Sequence, residues 1–189
     1  MKFRRASAAD WDGVLSLQEA NLRDKLNEAQ RAQGFLTVRF ERAQFVQMDA
    51  DAAVAVALDG ARIAGYACAS TQAFNAGVPV IGAMMAGFPK LSLSGKPLAS
   101  PATAIYGPVC VDQRDRGHGV FGSLIQQLKN DLRGRFELAA GFIAKDNARS
   151  LAAHVDGAGM TLLGEFEFDG RGFWIVAFPI PPEAVSCVL

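Results

Sequence analysis

The sequence lacks most of the features that announce a function. It has no excess of either charge, with 19 Lys and Arg against 19 Asp and Glu in 189 residues, so no global field draws in nucleic acid or an anionic membrane. No wider basic stripe accompanies its arginines, which argues against a nucleic-acid partner, and no acidic cluster marks a polycationic substrate. The three cysteines, Cys68, Cys110 and Cys187, are odd in number, far apart and without paired spacing. That argues against a disulfide framework and a zinc site, predicts no bound metal, and fits a reducing cytoplasm. No run approaches the roughly 18 consecutive apolar residues of a membrane span, and the basic start MKFRRASAAD has no apolar run behind it. The chain is expected to be neither secreted nor membrane-embedded. A nucleoside-triphosphate loop, Gly-x-x-x-x-Gly-Lys-Ser/Thr, is also missing.

What is present suits one globular domain over residues 1–189: half the residues are apolar and a fifth charged, enough to bury a sizeable core. Lys2–Arg5 reads as an edge strand. A helix then follows from Ser7 or Asp10 as N-cap, with Trp11, Val14, Leu15, Leu22 and Leu26 near one face. Residues 52–58 and 62–69 are apolar runs around Asp59-Gly60, which predicts a β-hairpin turned on that dipeptide. Residues 71–100, rich in Gly, Ala, Pro, Ser and Met, read as a long loop insertion able to wall a substrate pocket, act as a lid or cover a dimer seam. Strand 104–111, an amphipathic helix after Gly119, strand 137–144, a helix capped by Asp146 or Asn147 and a last hairpin around Asp169-Gly170 complete a mixed α/β chain.

One stretch carries chemistry. Residues 109–124 read VCVDQRDRGHGVFGSL: a strand, a charged turn, two glycines and a helix start. The first amides of a helix lack intrahelical partners and the macrodipole there is positive, so that end attracts anions. Gly117 and Gly119 let a phosphate approach the backbone, Val120 and Gly122 offer N–H groups, and Arg114 and Arg116 add charge. The segment predicts a pyrophosphate cradle.

Arg114-Asp115-Arg116-Gly117-His118-Gly119 resembles the Arg/Gln-x-x-Gly-x-Gly/Ala segment of the GNAT superfamily of acetyltransferases. The bare pattern arises by chance about half the time in a chain of this composition, so its place between an apolar strand and an amphipathic helix carries the weight. A second block, NARSLAAHVDGAGM, resembles the same superfamily through Asn147, Ser150, His154 and Gly159-Met160. Asn147, Ser150 and His154 fall on one helical stripe. The gap from His154 to Gly159 is one residue longer than the family's, which predicts a distorted helix end.

The resemblance implies a fold: an α/β (α+β) GNAT-like mixed sheet of about six to seven strands with helices on both faces. Acetyl-CoA lies in the splay between strands near 104–111 and 137–144. Backbone groups of Val109 and Val111 pair with the pantetheine arm and thioester carbonyl. The pyrophosphate sits on Arg114, Arg116, Gly117, His118, Gly119 and Val120, with Asn147 and Ser150 on pantetheine or adenosine-side oxygens. The implied activity is transfer of acetyl to a primary amine of a small molecule or protein by direct attack; the alternative is a non-catalytic acyl-CoA-binding or sensing module. His154 stands where the family commonly places a tyrosine acid, so His154 and Tyr106 are the catalytic candidates, each weighed against a plain packing role. Cys110 has no activating base nearby in sequence and reads as a small strand hydrophobe. Glu19, Asn21 and Asp24 carry no signal that sets them apart as acceptor-site residues. The family's frequent dimers imply a possible homodimer, with the PIPPEAVSCVL tail able to cross to a partner.

Overall fold

Residues 53–57 read Ala-Val-Ala-Val-Ala, and strand side chains alternate between faces. Ala53, Ala55 and Ala57 therefore face one side and Val54 and Val56 the other, all fully buried. A strand buried on both faces needs a packed layer on each, and the computed structural model, which describes residues 1–183, supplies them. In chain order come β1 (Lys2–Arg5), α1 (Trp11–Glu19), α2 (Glu28–Arg31), α3 (Arg42–Asp51), β2 (Ala53–Asp59), β3 (Arg62–Ser70) and α4 (Pro79–Met85). There follow the short strands β4 (Ser92–Leu93) and β5 (Lys96–Pro97), then β6 (Thr103–Val111), α5 (Val120–Leu132), β7 (Leu138–Ala144), α6 (Ala148–Ala152), β8 (Thr161–Phe168) and β9 (Arg171–Pro179).

Seven strands form one mixed sheet in the order β1-β2-β3-β6-β7-β9-β8, while β4 and β5 pair apart from it. On one face α5 lays Leu124, Ile125, Leu128 and Leu132 on the alanines of β2 and β3. The small residues let the helix come close: a Cβ at Gly65 would sit 2.9 Å from Leu124 Cδ1. On the other face Val14, Phe45, Met48, Val54, Val56 and Tyr66 share a core with α1 and α3. Each Val, Leu, Ile, Phe or Met side chain among these contributes about 1.5–3 kcal/mol on burial.

The structure corrects several local expectations. Helix α1 stops at Glu19, so Leu22 and Leu26 lie beyond it. Asn21 Nδ2 donates to Leu17 O at 2.9 Å and takes over a terminal carbonyl, the competition for backbone partners that ends helices. Leu22 is buried nonetheless, bridged to Leu36. The first hairpin turns on Gly60-Ala61, since Asp59 pairs with Arg62; Gly60 at φ +60° occupies the position where a II′ turn wants glycine. Helix α3 went unforeseen because only Phe45 and Met48 of its ten residues are buried. Residues 71–100 carry α4, 3-10 turns and the β4–β5 pair, with Met84, Phe88 and Leu98 in the core. Cys187 and the end of the tail lie outside the described residues. Among those described, no helix is long and apolar enough to cross a membrane.

One junction positions the site. β6 and β7, the parallel neighbours, pair only through Thr103–Leu138, Ala104–Ala139 and Ile105–Ala140. They then part: Gly107 takes φ +112°, Pro108 has no N–H for a ladder, and the β3–β6 register shifts opposite them. Beyond that point β6 pairs with β3 and β7 with β9, leaving a gap between Gly107–Val111 and Gly141–Ala144.

Candidate functional site

Backbone direction along β6 fixes what faces the gap. The Asp112 N–H donates to Ala64 O on β3, and backbone groups alternate sides along a strand. Cys110 therefore points its amide and carbonyl toward β3, and Val109 and Val111 point theirs toward the gap. Arg116 Nε donates to Val111 O at 2.9 Å, consistent with that direction, so the groups left on the edge are the Val109 N–H and C=O and the Val111 N–H.

At the mouth of the gap stands the N-terminus of α5. Its N-cap is Gly119, which has no side chain to cap with, and the intrahelical ladder begins with Ser123 N–H to Gly119 O. The amides of Val120, Phe121 and Gly122 thus reach a cleft of about 540 Å3 without a protein partner at the cap. Gly117 and Gly119 hold φ +81° and +78°, and a Cβ at either would meet nothing within 4 Å. The space over the loop is open and the backbone demands glycine. Gly117, Gly119 and Gly122 also have the Gly-x-Gly-x-x-Gly spacing of dinucleotide sites, so that spacing is present in this chain. Its setting differs: β6 is flanked by antiparallel β3 and parts from β7 after three pairs, unlike the parallel sheet that such a site needs.

The predicted loop residues separate into two groups. Arg116, Gly117, Gly119 and Val120 line the cleft with Val109, Val111, Asn147 and Ser150, whereas Arg114 and His118 do not. Arg114 is held by Asp112 through Nε–Oδ1 at 3.1 Å and Nη2–Oδ2 at 2.8 Å, and it keeps the Asp112 carboxyl below the usual range. His118 is exposed. The Arg116 guanidinium, half-buried, donates to Val111 O, to Gln33 O at 2.6 Å and to Asn21 Oδ1 at 2.8 Å. It pins the segment 21–36 across the cleft. Arg149 reaches the same segment at Gln33 Oε1 and lines the cleft beside it.

Asn147 caps α6, accepting from the Ser150 N–H at 3.2 Å, while its Nδ2 donates to Phe35 O at 3.1 Å. His154 is 4% exposed. Its Nδ1 lies 2.7 Å from Ser150 O, and since a carbonyl only accepts, Nδ1 carries the hydrogen. In the neutral ring Nε2 is then an acceptor, and the Tyr106 hydroxyl donates to it at 3.0 Å. Burial pushes His154 down to about 4 and drives the Tyr106 phenol well above its ordinary 10. The pair is a neutral O–H···N, N–H···O=C chain. The extra residue between His154 and Gly159 is absorbed by a π turn over Ala153–Gly157, the single-residue bulge often found at functional sites. Cys110 lines the cleft, but burial pushes its thiol up to about 12, which leaves it unionised and a poor nucleophile.

Beside the cleft lies an inner chamber of about 90 Å3, which shares Phe35, Leu36, Val109, Asn147, Ser150 and His154 with it. Its far walls include Phe40, Ile81, Tyr106 and Phe142. Sequence reasoning does not find the 33–40 wall, Arg149 or Phe121, whose ring lies 4.7 Å from that of His154. Arg149 and Phe121 lie inside the two quoted stretches but at positions to which neither pattern gives a role, and the 33–40 wall comes to the site only by folding. Asn21 lies on the cleft beside Arg116, Glu19 pairs with Arg39 and Asp24 is exposed. Among the described residues, no group of three His, Cys, Asp or Glu is placed to hold a metal ion.

No family model and no curated protein matches this sequence. Solved structures do match. The ribosomal-protein-alanine N-acetyltransferase of Brucella melitensis is 17% identical with a TM-score of 0.60, over 95% of this chain and 99% of that one. The yncA protein of Salmonella typhimurium, solved with acetyl-CoA, is 15% identical at 0.61, over 98% and 96%. The GNAT-superfamily phosphinothricin acetyltransferase of Sinorhizobium meliloti, in complex with acetyl-CoA, is 18% identical at 0.60, over 95% and 88%. At these identities the likeness is one of architecture, and this chain has the fold of the GNAT-superfamily acetyltransferases.

Proposed function

We propose that this protein transfers an acetyl group from acetyl-CoA to a primary amine. The observation that carries the reading is the uncapped α5 N-terminus, with glycines in open space, facing a cleft that leads into the gap between β6 and β7. Its residue types fit the ligand: free amides for a pyrophosphate, Arg149 and Arg116 for further anionic oxygens, and a strand edge at Val109 and Val111 for an extended amide chain. Two of the structures sharing the fold were solved with acetyl-CoA.

When bound, acetyl-CoA supplies the acyl group as a thioester: the amine nitrogen bonds to the carbonyl carbon, the carbon–sulfur bond breaks, and one nitrogen proton ends on sulfur. This chain's residues serve those ends. The Val111 N–H, on the open edge of β6, is the donor for charge developing on the carbonyl oxygen. Tyr106 does not persist as a phenolate because burial opposes it; its hydroxyl acts as a relay, turning from His154 Nε2 to give its proton to the departing sulfur and taking back the surplus proton of the newly bonded nitrogen. His154 orients it by accepting through Nε2 and, held neutral, is not itself charged with a proton to give. Asn147 keeps the wall in place through Phe35.

The test uses Gly122, which is helical, exposed and has nothing within 4 Å of its Cβ position. Gly122→Leu removes a poor helix former, which favours the fold by a few tenths of a kcal/mol, and puts a side chain into the cleft. Calorimetric titration of wild type with CoA and acetyl-CoA is expected to give micromolar affinity, about 8 kcal/mol. The variant is expected to lose it with no fall in melting temperature. Wild type that fails to bind, or a variant that binds as well, overturns the reading. Tight binding without thiol release in an amine screen points instead to a non-catalytic acyl-CoA-binding module.

A further inference from the structure

Among the described residues, no charged side chain lines the inner chamber. Thr37, Asn147, Ser150, Tyr106 and His154 supply all its polar side-chain atoms, and Val38, Phe40, Ile81 and Phe142 much of its apolar wall. Carboxylates near the site are turned to other partners. Asp112 is bound by Arg114, and Asp115 by Arg62 at 2.8 Å. Asp146, next to the capping Asn147, pairs with Arg23 and Arg171 at the surface. Glu19 is held by Arg39. Among the described residues, nothing anionic lines the chamber.

Most aliphatic amines are ammonium ions at neutral pH. Such an ion entering this chamber would shed part of its water without meeting an anion, and no carboxylate among the described residues is there to take its surplus proton. The phenyl faces of Phe40 and Phe142 attract a cation, but by less than the cost of stripping water from an unpaired charge. His154 does not serve as the base, because its Nε2 already accepts from Tyr106. An amine that is already neutral avoids both costs. The volume sets the size: about 90 Å3 is less than the roughly 150 Å3 of an engineered cavity known to hold benzene. The buried part of the acceptor is therefore small or flat, with the rest in the wider cleft.

We infer that the acceptor is a small apolar amine that is uncharged at neutral pH, an arylamine or one of comparably weak basicity, selected by a chamber that offers no counter-ion. This rests on the acetyl-transfer reading above and narrows its acceptor.

The probes are aniline and cyclohexylamine, with equal numbers of heavy atoms; the first is neutral at pH 7 and the second cationic. Each is titrated against the protein by NMR, both alone and saturated with CoA. Aniline is expected to bind at least tenfold more tightly at pH 7. Cyclohexylamine should gain about tenfold per pH unit between pH 7 and 9, as its neutral fraction grows, while aniline stays flat. No group in the chamber wall takes up or loses a proton in that window, since His154 lies at about 4 and Tyr106 is pushed up. Val38→Asp, at a half-buried wall position, supplies the missing anion and should reverse the preference. Should it not fold, Thr37→Asp serves the same purpose and the pH series needs no variant. Cyclohexylamine binding as well as aniline at pH 7, or neither binding, overturns the inference and leaves acetyl transfer standing. Failure of CoA to bind, with the aniline preference intact, overturns acetyl transfer and leaves a chamber for neutral amines.

Discussion

Mild acid should destabilise this protein through one side chain. His154 is buried, its Nδ1–H is committed to Ser150 O and its Nε2 to the Tyr106 hydroxyl. A second proton would have to displace the Tyr106 hydrogen and carry charge into an apolar pocket, which is why burial brings it down to about 4 from 6.5. Above pH 6.5 both folded and unfolded chains hold a neutral ring there, and the group adds nothing to the pH dependence. Below 6.5 the unfolded chain takes up a proton that the folded one refuses, so stability falls as pH falls, by up to about 1.4 kcal/mol per pH unit. The loss levels off below pH 4, at a total of about 3 kcal/mol, a large part of the 5–15 kcal/mol typical of a domain. Asp10 and Asp112 are held low by Arg4 and Arg114 and also lose stabilisation in acid, but mainly below about pH 5. Asp131, pushed up by burial, works in the opposite direction in mild acid, so the histidine is isolated by comparing wild type with a His154 variant that shares every other group. Urea unfolding at pH 7, 6 and 5 should show wild type losing stability across that range and His154→Gln losing much less, whatever their difference at pH 7. Parallel pH profiles would refute the reasoning: the ring would be taking its proton in the folded state, and Tyr106 would not be its donor.

Tyr106→Phe removes the hydroxyl and strands a buried imidazole nitrogen. It should cost about 1–3 kcal/mol of stability and lower turnover by about 10²–10⁴-fold, the range of a general acid, with CoA affinity unchanged; thiol-release kinetics beside calorimetry check this, and retained turnover removes Tyr106 from the chemistry. Gly141→Ala would place a Cβ 2.5 Å from Tyr106 O and 2.9 Å from Tyr106 Cδ1, forcing β6 from β7 where they part. Overpacking of this kind costs about 1–3 kcal/mol, so a fall in melting temperature together with loss of turnover is expected, and an unchanged melting temperature would mean that the two strands are not in contact at that point.

Arg116 shows why a motif reads only part of a site. The sequence placed it, with Gly117 and Gly119, at the start of a helix, and it stands there. Its assignment to phosphate rests on its charge and on the resemblance of the segment to the GNAT loop. In the fold three of its N–H groups go to Val111, Gln33 and Asn21, and two of those partners lie 83 and 95 positions away along the chain. Arg114 was assigned by the same reasoning, and Asp112, two residues before it, holds it off the cleft. The distorted helix end, by contrast, was legible, because one surplus residue between His154 and Gly159 has to be absorbed locally and a π turn does so.

The sequence by itself determined the elements whose cause is local. The second hairpin turns at Asp169-Gly170, with φ +50° and +67°, the left-handed angles that Asp and Gly tolerate. The glycine loop before α5, the Ala-Val alternation of β2 and the Asn147 cap likewise depend on residues within a turn or two of one another. Only the tertiary structure decided what those elements enclose. The inner chamber takes walls from 35–40, 81, 105–109, 142–147 and 150–154, and Tyr106 meets His154 across 48 positions. Whether a ring nitrogen is charged, an arginine is spent or a pocket is without an anion is set by solvent exclusion and distant partners, and these exist only once the sheet has brought its two halves together.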